Sequence, residues 1–167
     1  MKLEKQGLAI RDATIEDAPL LCRWWNDGKI MAHAGFPRGL GMEEQEIANL
    51  LKNDDDSYRH LILEHKQRPI GEMHYRVVAA QTAEIGIKIC ETNLQNRGNG
   101  TKFLQMLIEY LFERLQFQKI VLDTNLNNLR AQHVYEKLGF QKTAVKPNIW
   151  KNQLGELQSP VEYELTA

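Results

Sequence analysis

A glycine-rich segment between an apolar, strand-like run and an amphipathic run is the first part of the sequence that could do chemistry. Its residues are Gln95, Asn96, Arg97, Gly98, Asn99, Gly100 and Thr101. Glycine permits sharp turns and lets a ligand approach the backbone closely. At the start of a helix, such a turn presents unpaired N–H groups and the positive end of the helix dipole, which suits phosphate oxygens. By itself, the segment favours the simpler interpretation of a tight turn from strand to helix, so the surrounding elements must decide.

Side chains able to exchange protons precede this segment. Glu84 alternates with Ile85 along a predicted strand, whereas Glu72 and His74 lie together on one side of the preceding strand. Carboxylates and imidazoles are the usual general bases. An exposed strand carboxylate, paired with Lys88, is an equally good interpretation of Glu84.

Length and composition predict one domain spanning residues 1–167, because 167 residues are enough to enclose a single core. Hydrophobic residues make up 43% and charged residues 26%, which is ordinary for a soluble globular protein. The net charge of −1 predicts neither a nucleic-acid partner nor an anionic membrane partner. The N-terminal residues lead into no long apolar run, so we expect neither a signal peptide nor a membrane span.

Cysteine and histidine usage argues against a metal centre or a disulfide framework. Cys22 and Cys90 are the only cysteines, and they form no Cys-x-x-Cys motif. We therefore expect reduced thiols and a cytoplasmic protein. The five histidines, at positions 33, 60, 65, 74 and 133, show no ligand spacing with cysteines or clustered acids, so no metal is expected.

Hydrophobic periodicity predicts about seven strands and four helices. The strands fall at residues 8–11, 60–64, 70–78, 83–90, 119–124, 140–144 and 161–165, and the helices run from near Pro19 to Trp25 and over residues 42–52, 100–115 and 128–138. Thr14 and Asp17 predict a cap before the first helix. The polar run 53–57 is interpreted as a solvated link. Residues 66–69 predict a hairpin turn.

The loop after the first helix is a candidate wall for a substrate site. Trp24 and Trp25 cannot both occupy one narrow helix face, so one of them is a candidate for ligand contact, although packing of both under the loop is favoured. Asp27 would attract a cationic amine, but loop aspartates mostly form turns.

Two motifs in sequence order resemble those of a known family. QNRGNG occupies residues 95–100, and NLRAQHVYEKLGF occupies residues 128–140, one helix and one strand later. Together they resemble the GNAT superfamily of acetyl-CoA-dependent N-acetyltransferases. The resemblance implies an α/β (α+β) fold: a central, mixed but mostly antiparallel twisted sheet with helices on both faces.

The resemblance also implies where acetyl-CoA binds. Residues 95–101 would wrap the CoA pyrophosphate, with Arg97 meeting a phosphate directly. The preceding strand would separate from its neighbour, and the pantetheine arm would then pair with the freed main chain of Ile87, Lys88 and Ile89. Asn128 would hydrogen-bond the cofactor, and Tyr135 would lie near its sulfur.

For catalysis, the resemblance makes Tyr135 the general acid that protonates the leaving thiolate, although Tyr135 also fits a core stripe of its helix. Glu84 is the candidate base for the amine, with Glu72 and His74 as rivals and solvent as the remaining possibility. Cys90 has no evident paired base, so a strand residue is the better interpretation.

The predicted function is transfer of an acetyl group to a primary amine by direct attack. The acceptor is a small amine, such as an aminoglycoside or a polyamine, or a protein N-terminal amine; Trp25, Asp27, Glu72 and His74 are the candidate acceptor-site residues. The oligomeric state stays open, although members of this family are often dimers. A non-catalytic acyl-CoA sensor on the same fold is the alternative. A Rossmann-type dinucleotide binder is rejected. In that fold the glycine-rich turn follows the first strand, whereas in this sequence it comes late, after the predicted strand 83–90.

Overall fold

The computed structural model describes all 167 residues and divides into two compact units, each built from separate stretches of chain. The first unit contains residues 1–13, 54–122 and 164–167, and the second contains residues 14–53 and 123–163. The prediction of a single domain stays a prediction.

The fold is mixed α/β, with eight strands in a mostly antiparallel sheet, one more than predicted. The strands are β1 (Lys2–Lys5), β2 (Leu8–Asp12), β3 (Tyr58–His65), β4 (Arg68–Ala79), β5 (Thr82–Ile89), β6 (Lys119–Asn125), β7 (Gln141–Val145) and β10 (Pro160–Thr166). Strands β6 and β10 each have residues in both units. The strand order is β1-β2-β3-β4-β5-β6-β10 in the first unit and β6-β10-β7 in the second. Pairing is antiparallel from β1 through β5, whereas β5 and β6 run parallel.

Strand β1 is the strand that periodicity missed, because it carries mostly polar residues at the edge of the sheet. It pairs with β2 through a two-residue turn in which Gln6 and Gly7 both have positive φ, 51° and 80°. The β3–β4 hairpin was predicted, and its turn is likewise short, with φ of 49° at Lys66 and 65° at Gln67. Such left-handed pairs match the twist of a hairpin.

Five helices accompany the strands. In the second unit they are α1 (Ala18–Trp25), α2 (Gly28–Met31), α3 (Glu44–Lys52) and α5 (Leu129–Lys137). In the first unit α4 (Asn99–Glu109) continues into a π-helical turn, Tyr110–Arg114, so the long predicted helix is confirmed. None of these helices has both the length and the apolar composition that crossing a bilayer requires.

The core of the first unit lies where α4 packs on β2 and β5. Phe103 and Leu107 on α4 and Leu111 in the π-helical turn are fully buried, and Ile10 and Ile85 on the two strands are buried as well. This packing fixes the start of α4 relative to the end of β5, which is the part of the fold that carries the glycine-rich turn.

In the second unit, a small hairpin formed by β8 (Trp150–Lys151) and β9 (Leu157–Gln158) holds the loop that follows α1. Gln153 donates from its backbone to the Gly35 carbonyl at 3.0 Å and from its side chain to the Gly39 carbonyl at 2.8 Å. Its side-chain oxygen accepts from Arg38 N at 2.8 Å. One residue thus fixes three points of the loop, two of them through its side chain.

Candidate active site

The ladder between β5 and β6 is short. It consists of three pairs, in which Thr82, Ala83 and Glu84 face residues 119–121 of β6. On its other edge β5 stays paired with β4 as far as Ile89. The backbone of residues 85–89 is therefore not paired with β6, and the separation predicted at residues 87–89 is present.

The glycine-rich turn leads directly into the N-terminus of α4. Asn96 and Gly98 adopt left-handed conformations, with φ of 67° and 77°, and α4 then begins at Asn99. Lys102 N bonds to Gly98 O at 3.3 Å, so the three preceding N–H groups of the helix have no partner within it. The first turn of α4 carries no acidic residue, and Arg97 is exposed beside it. This end of the helix suits an anion.

Gln95 connects the turn to the end of β5. Its side-chain Nε2 donates to the backbone carbonyl of Ile89 at 2.7 Å. This amide is therefore engaged with the protein itself, and Gln95 holds the turn beside the unpaired strand edge.

Asn128 is the N-cap of α5. Its Oδ1 accepts from the backbone N–H of Ala131 at 3.1 Å, as the side chain of an N-cap asparagine commonly does. The side-chain NH₂ group of Asn128 is left as a hydrogen-bond donor.

Tyr135 is buried on α5 among aromatic rings. Its ring lies 6.0 Å from that of Phe140 and 5.7 Å from that of Tyr163, measured between centroids. The hydroxyl makes no hydrogen bond within the protein. Burial, with Asp123 as a smaller cause, raises the pKa of Tyr135 to about 12, so the phenol is protonated at neutral pH. It can donate a proton but not take one.

The polar residues of β4 and β5 share one face of the sheet, and the register places them opposite one another. Arg76 faces Glu84, and Lys88 faces Glu72. Arg76 binds the two carboxylate oxygens of Glu84 at 2.8 and 3.2 Å. The alternative interpretation of Glu84 as a carboxylate paired with Lys88 therefore has the wrong partner, because Lys88 lies 3.4 Å from Glu72.

Between these two pairs, His74 faces Gly86. The imidazole fills the space above Gly86, where an added Cβ would lie 2.3 Å from His74 Cε1. Tyr58 contacts it edge-on, with ring centroids 5.9 Å apart. Burial lowers the pKa of His74 to about 4, against a smaller raising effect of Glu84, so the ring is neutral at neutral pH.

Asp54 and His60 form a pair that sequence reasoning missed. Asp54 Oδ1 lies 2.7 Å from His60 Nδ1, and Oδ2 accepts from His60 N at 2.7 Å. The Asp54 side chain is only 15% exposed, so it is not part of a solvated link. His60 faces His74 across the β3–β4 ladder, and its ring stacks on that of Tyr58 at 4.8 Å. The one sequence signal for this burial is that His60 leads directly into the apolar run Leu61, Ile62 and Leu63.

The residues expected to wall an acceptor site have structural roles. Trp24 and Trp25 are 1% and 6% exposed, which agrees with the packing interpretation of both. Asp27 caps α2 by accepting from Lys29 N at 2.9 Å. Their contact with an acceptor stays a prediction.

Neither cysteine is part of a disulfide or of a metal site. Cys22 and Cys90 are free thiols, and no group of three His, Cys, Asp or Glu residues is arranged to hold a metal ion. Cys90 is buried, and burial raises the pKa of its thiol far above the usual range, so it is a poor nucleophile.

Comparison with known proteins gives the class. The family model for the acetyltransferase (GNAT) domain matches residues 8–141. The chain therefore belongs to the GNAT family and is an acetyl-CoA-dependent acyltransferase, which confirms the family predicted from the two motifs.

Individual relatives are more distant. The chain is 26% identical over 137 residues to the uncharacterized N-acetyltransferase YnaD of Bacillus subtilis, covering 80% of this chain and 79% of that one. Spermidine N-acetyltransferase from Vibrio cholerae, solved with CoA and spermine, has a TM-score of 0.86 at 21% identity, over 97% and 96% of the chains. The ribosomal L7/L12 alpha-N-protein acetyltransferase RimL, solved with CoA, has a TM-score of 0.88 at 13% identity, over 99% and 98%. At these identities the two structures support the fold.

Proposed function

We propose that this protein transfers the acetyl group of acetyl-CoA to a primary amine by direct attack of the amine. Two adjoining features carry the proposal. Residues 85–89 of β5 are not paired with β6, and they are followed by the N-terminus of α4, whose first turn has no acidic residue. A strand edge that accepts an extended amide chain, followed by a seat for an anion, matches the two chemical parts of CoA.

The binding roles follow from these two features. The main chain of Ile87, Lys88 and Ile89 would pair with the pantetheine amides as an added strand does. The N–H groups of residues 96–101 would hold the pyrophosphate, and Gln95 would position that turn. Arg97 adds a charge-assisted contact to a phosphate oxygen, and Asn128 offers its NH₂ group to the cofactor.

Acetyl-CoA supplies an activated thioester, so no covalent enzyme intermediate is needed. Tyr135 supplies the proton for the departing sulfur, since its phenol is protonated and its hydroxyl has no protein partner. The proton lost by the amine goes to a base on the β4–β5 face, where Glu84, Glu72 and His74 are the candidates.

The acceptor is a small polyamine-like or aminoglycoside-like amine, or the N-terminal amine of a protein. Structures similar in fold are named for spermidine and for ribosomal protein L7/L12, which supports both classes. Contact of the acceptor with Trp25 and Asp27, and assembly as a homodimer, are part of the same proposal.

A thiol-release assay over spermidine, aminoglycosides, free amino acids and N-terminal peptides tests this function, together with calorimetric titration of CoA. We expect CoA binding and turnover on one amine class. Binding without turnover on every class would favour the non-catalytic acyl-CoA sensor. No binding of CoA would overturn the proposal.

A further inference from the structure

The three candidate proton acceptors on the β4–β5 face differ in what already binds them. Arg76 engages both oxygens of Glu84, at 2.8 and 3.2 Å, and Lys88 lies 3.4 Å from Glu72. Both carboxylates are therefore already held in ion pairs, and an amine that approached either of them would compete with its cation.

His74 is the candidate without such a partner. Neither of its ring nitrogens makes a hydrogen bond within the protein, and its only ring contact is the edge-on one with Tyr58. The ring is nevertheless held in place, because it occupies the space that the missing side chain of Gly86 leaves open. An alanine at position 86 would bring a Cβ to 2.3 Å from Cε1 and 2.9 Å from Nδ1.

The position of this contact along β5 links it to the proposed thioester site. Gly86 lies two residues beyond Glu84, the last β5 residue paired with β6, and it immediately precedes residues 87–89. The imidazole therefore lies against the first part of β5 that is not paired with β6. This is where the proposed pantetheine arm would reach its reactive end.

We infer that His74 is the group that takes the proton from the acceptor amine, and that Gly86 is glycine in order to seat this imidazole. The inference rests on the proposed acetyl transfer. As the C–N bond forms and the C–S bond breaks, one amine proton passes to a His74 ring nitrogen and the Tyr135 proton passes to the sulfur. Solvent then takes the proton from the imidazolium and returns one to the phenolate.

The surroundings of His74 keep its ring neutral at neutral pH, so one ring nitrogen is free to accept a proton. Burial is the main cause of its lowered pKa of about 4, and His60 on β3, Arg76 on β4 and Lys88 on β5 disfavour the charged form as well. Glu84 acts in the opposite direction and stabilises the imidazolium while it exists. Asp54 holds His60, which faces His74 across the ladder.

The test uses His74→Gln, which keeps shape and hydrogen bonding but cannot carry a proton, and Gly86→Ala, which displaces the ring without changing its chemistry. His65→Gln, at the other end of β3, is the matched control. For each variant we would measure kcat with the best amine of the panel, and Kd for CoA by calorimetry. Loss of a general base is expected to lower kcat by about 100-fold or more.

We expect that loss in both His74→Gln and Gly86→Ala, CoA affinity within about threefold of wild type, and an unchanged His65→Gln enzyme. A His74 nitrogen resonance that shifts when amine is added to the CoA-bound protein would support direct contact. Wild-type kcat in His74→Gln overturns the inference while leaving acetyl transfer intact. A wild-type protein inactive on every amine overturns the proposed function, and the inference with it.

Discussion

Gln95 and Ile89 are joined by a hydrogen bond of 2.7 Å from the side-chain amide of the first to the backbone carbonyl of the second. The bond spans the short 3₁₀ turn Thr92–Leu94, so it ties the glycine-rich turn to the last residue of β5. The strand edge and the helix N-terminus are thereby joined in one corner of the first unit.

Replacing Gln95 by alanine should therefore weaken CoA binding although no proposed phosphate contact is removed. The substitution removes one hydrogen bond that stabilises the ordered turn by about 1 kcal/mol. This loss corresponds to a roughly fivefold higher Kd for CoA. Titration calorimetry with CoA measures this change.

Gln116→Ala is the matched control. Gln116 also donates its side-chain amide to backbone carbonyls, at 2.7 Å to Glu113 and 3.4 Å to Phe112, but it lies beyond the C-terminal end of α4. Its loss should leave CoA affinity at the wild-type value. Equal effects of the two substitutions would show that Gln95 acts through general stability and not through the corner.

Tyr135→Phe removes only the hydroxyl from a buried ring. If that hydroxyl protonates the departing sulfur, kcat should fall by about 100-fold while Kd for CoA stays unchanged. Because the pKa of Tyr135 is raised to about 12, the acid stays protonated across the working range, and wild-type activity should show no loss from its ionisation below about pH 11.

Tyr163→Phe separates catalysis from packing. Tyr163 packs against Tyr135 and donates its hydroxyl to Glu136 at 3.1 Å, so its substitution removes a structural hydrogen bond from the same cluster. We expect a loss of about 1 kcal/mol in unfolding free energy and near-normal kcat. Turnover of Tyr135→Phe equal to wild type would remove the hydroxyl from the mechanism.

The fold of the region around the two motifs could be predicted because local signals there agree. Apolar alternation marks β5, helical spacing marks α4, and Gly139, with φ of 96°, follows the end of α5, where glycine is common. Strand β1 was not predicted, because three of its four residues are polar and exposed at the edge of the sheet and give no apolar alternation.

Which polar residues meet could not be predicted, because periodicity assigns a face but not a register. Glu84 and Lys88 do share the predicted face, yet each pairs across to β4. A register shift in the β4–β5 ladder, between Val77 and Ala79, helps set which β4 residue faces Glu84 and which faces Lys88. No residue pattern in the sequence predicts this shift. The seat of His74 on Gly86 depends on that same register.

Asp54 should contribute to stability, contrary to its interpretation as part of a solvated link. Asp54→Ala leaves the backbone N–H and Nδ1 of His60 without their carboxylate, and we expect a loss of about 2–4 kcal/mol in unfolding free energy. Urea unfolding measures it. Asp56→Ala is the control, since the Asp56 side chain is 99% exposed and its pair with Arg59 should contribute less than about 1 kcal/mol. Similar losses in both variants would contradict the buried role.

Gly35 and Trp150 fit together in the second unit because Gly35 has no side chain. Its φ is 97°, and an added Cβ would lie 2.3 Å from the outer edge of the indole ring. Two separate costs therefore oppose any other residue here: the left-handed backbone and the overlap with the ring.

Gly35→Ala should lower unfolding free energy by about 3 kcal/mol, the sum of about 1–2 kcal/mol for the backbone and the rest for displacement of the ring. For a chain of this size, Tm would fall by about 6–12 °C in a thermal melt. Gly41→Ala isolates the backbone cost, because Gly41 has φ of 66° and open space around it. In a Trp150→Ala background the Gly35 substitution should cost no more than Gly41→Ala, since the overlap is gone. Equal costs for Gly35→Ala with and without Trp150 would show that the ring simply moves aside.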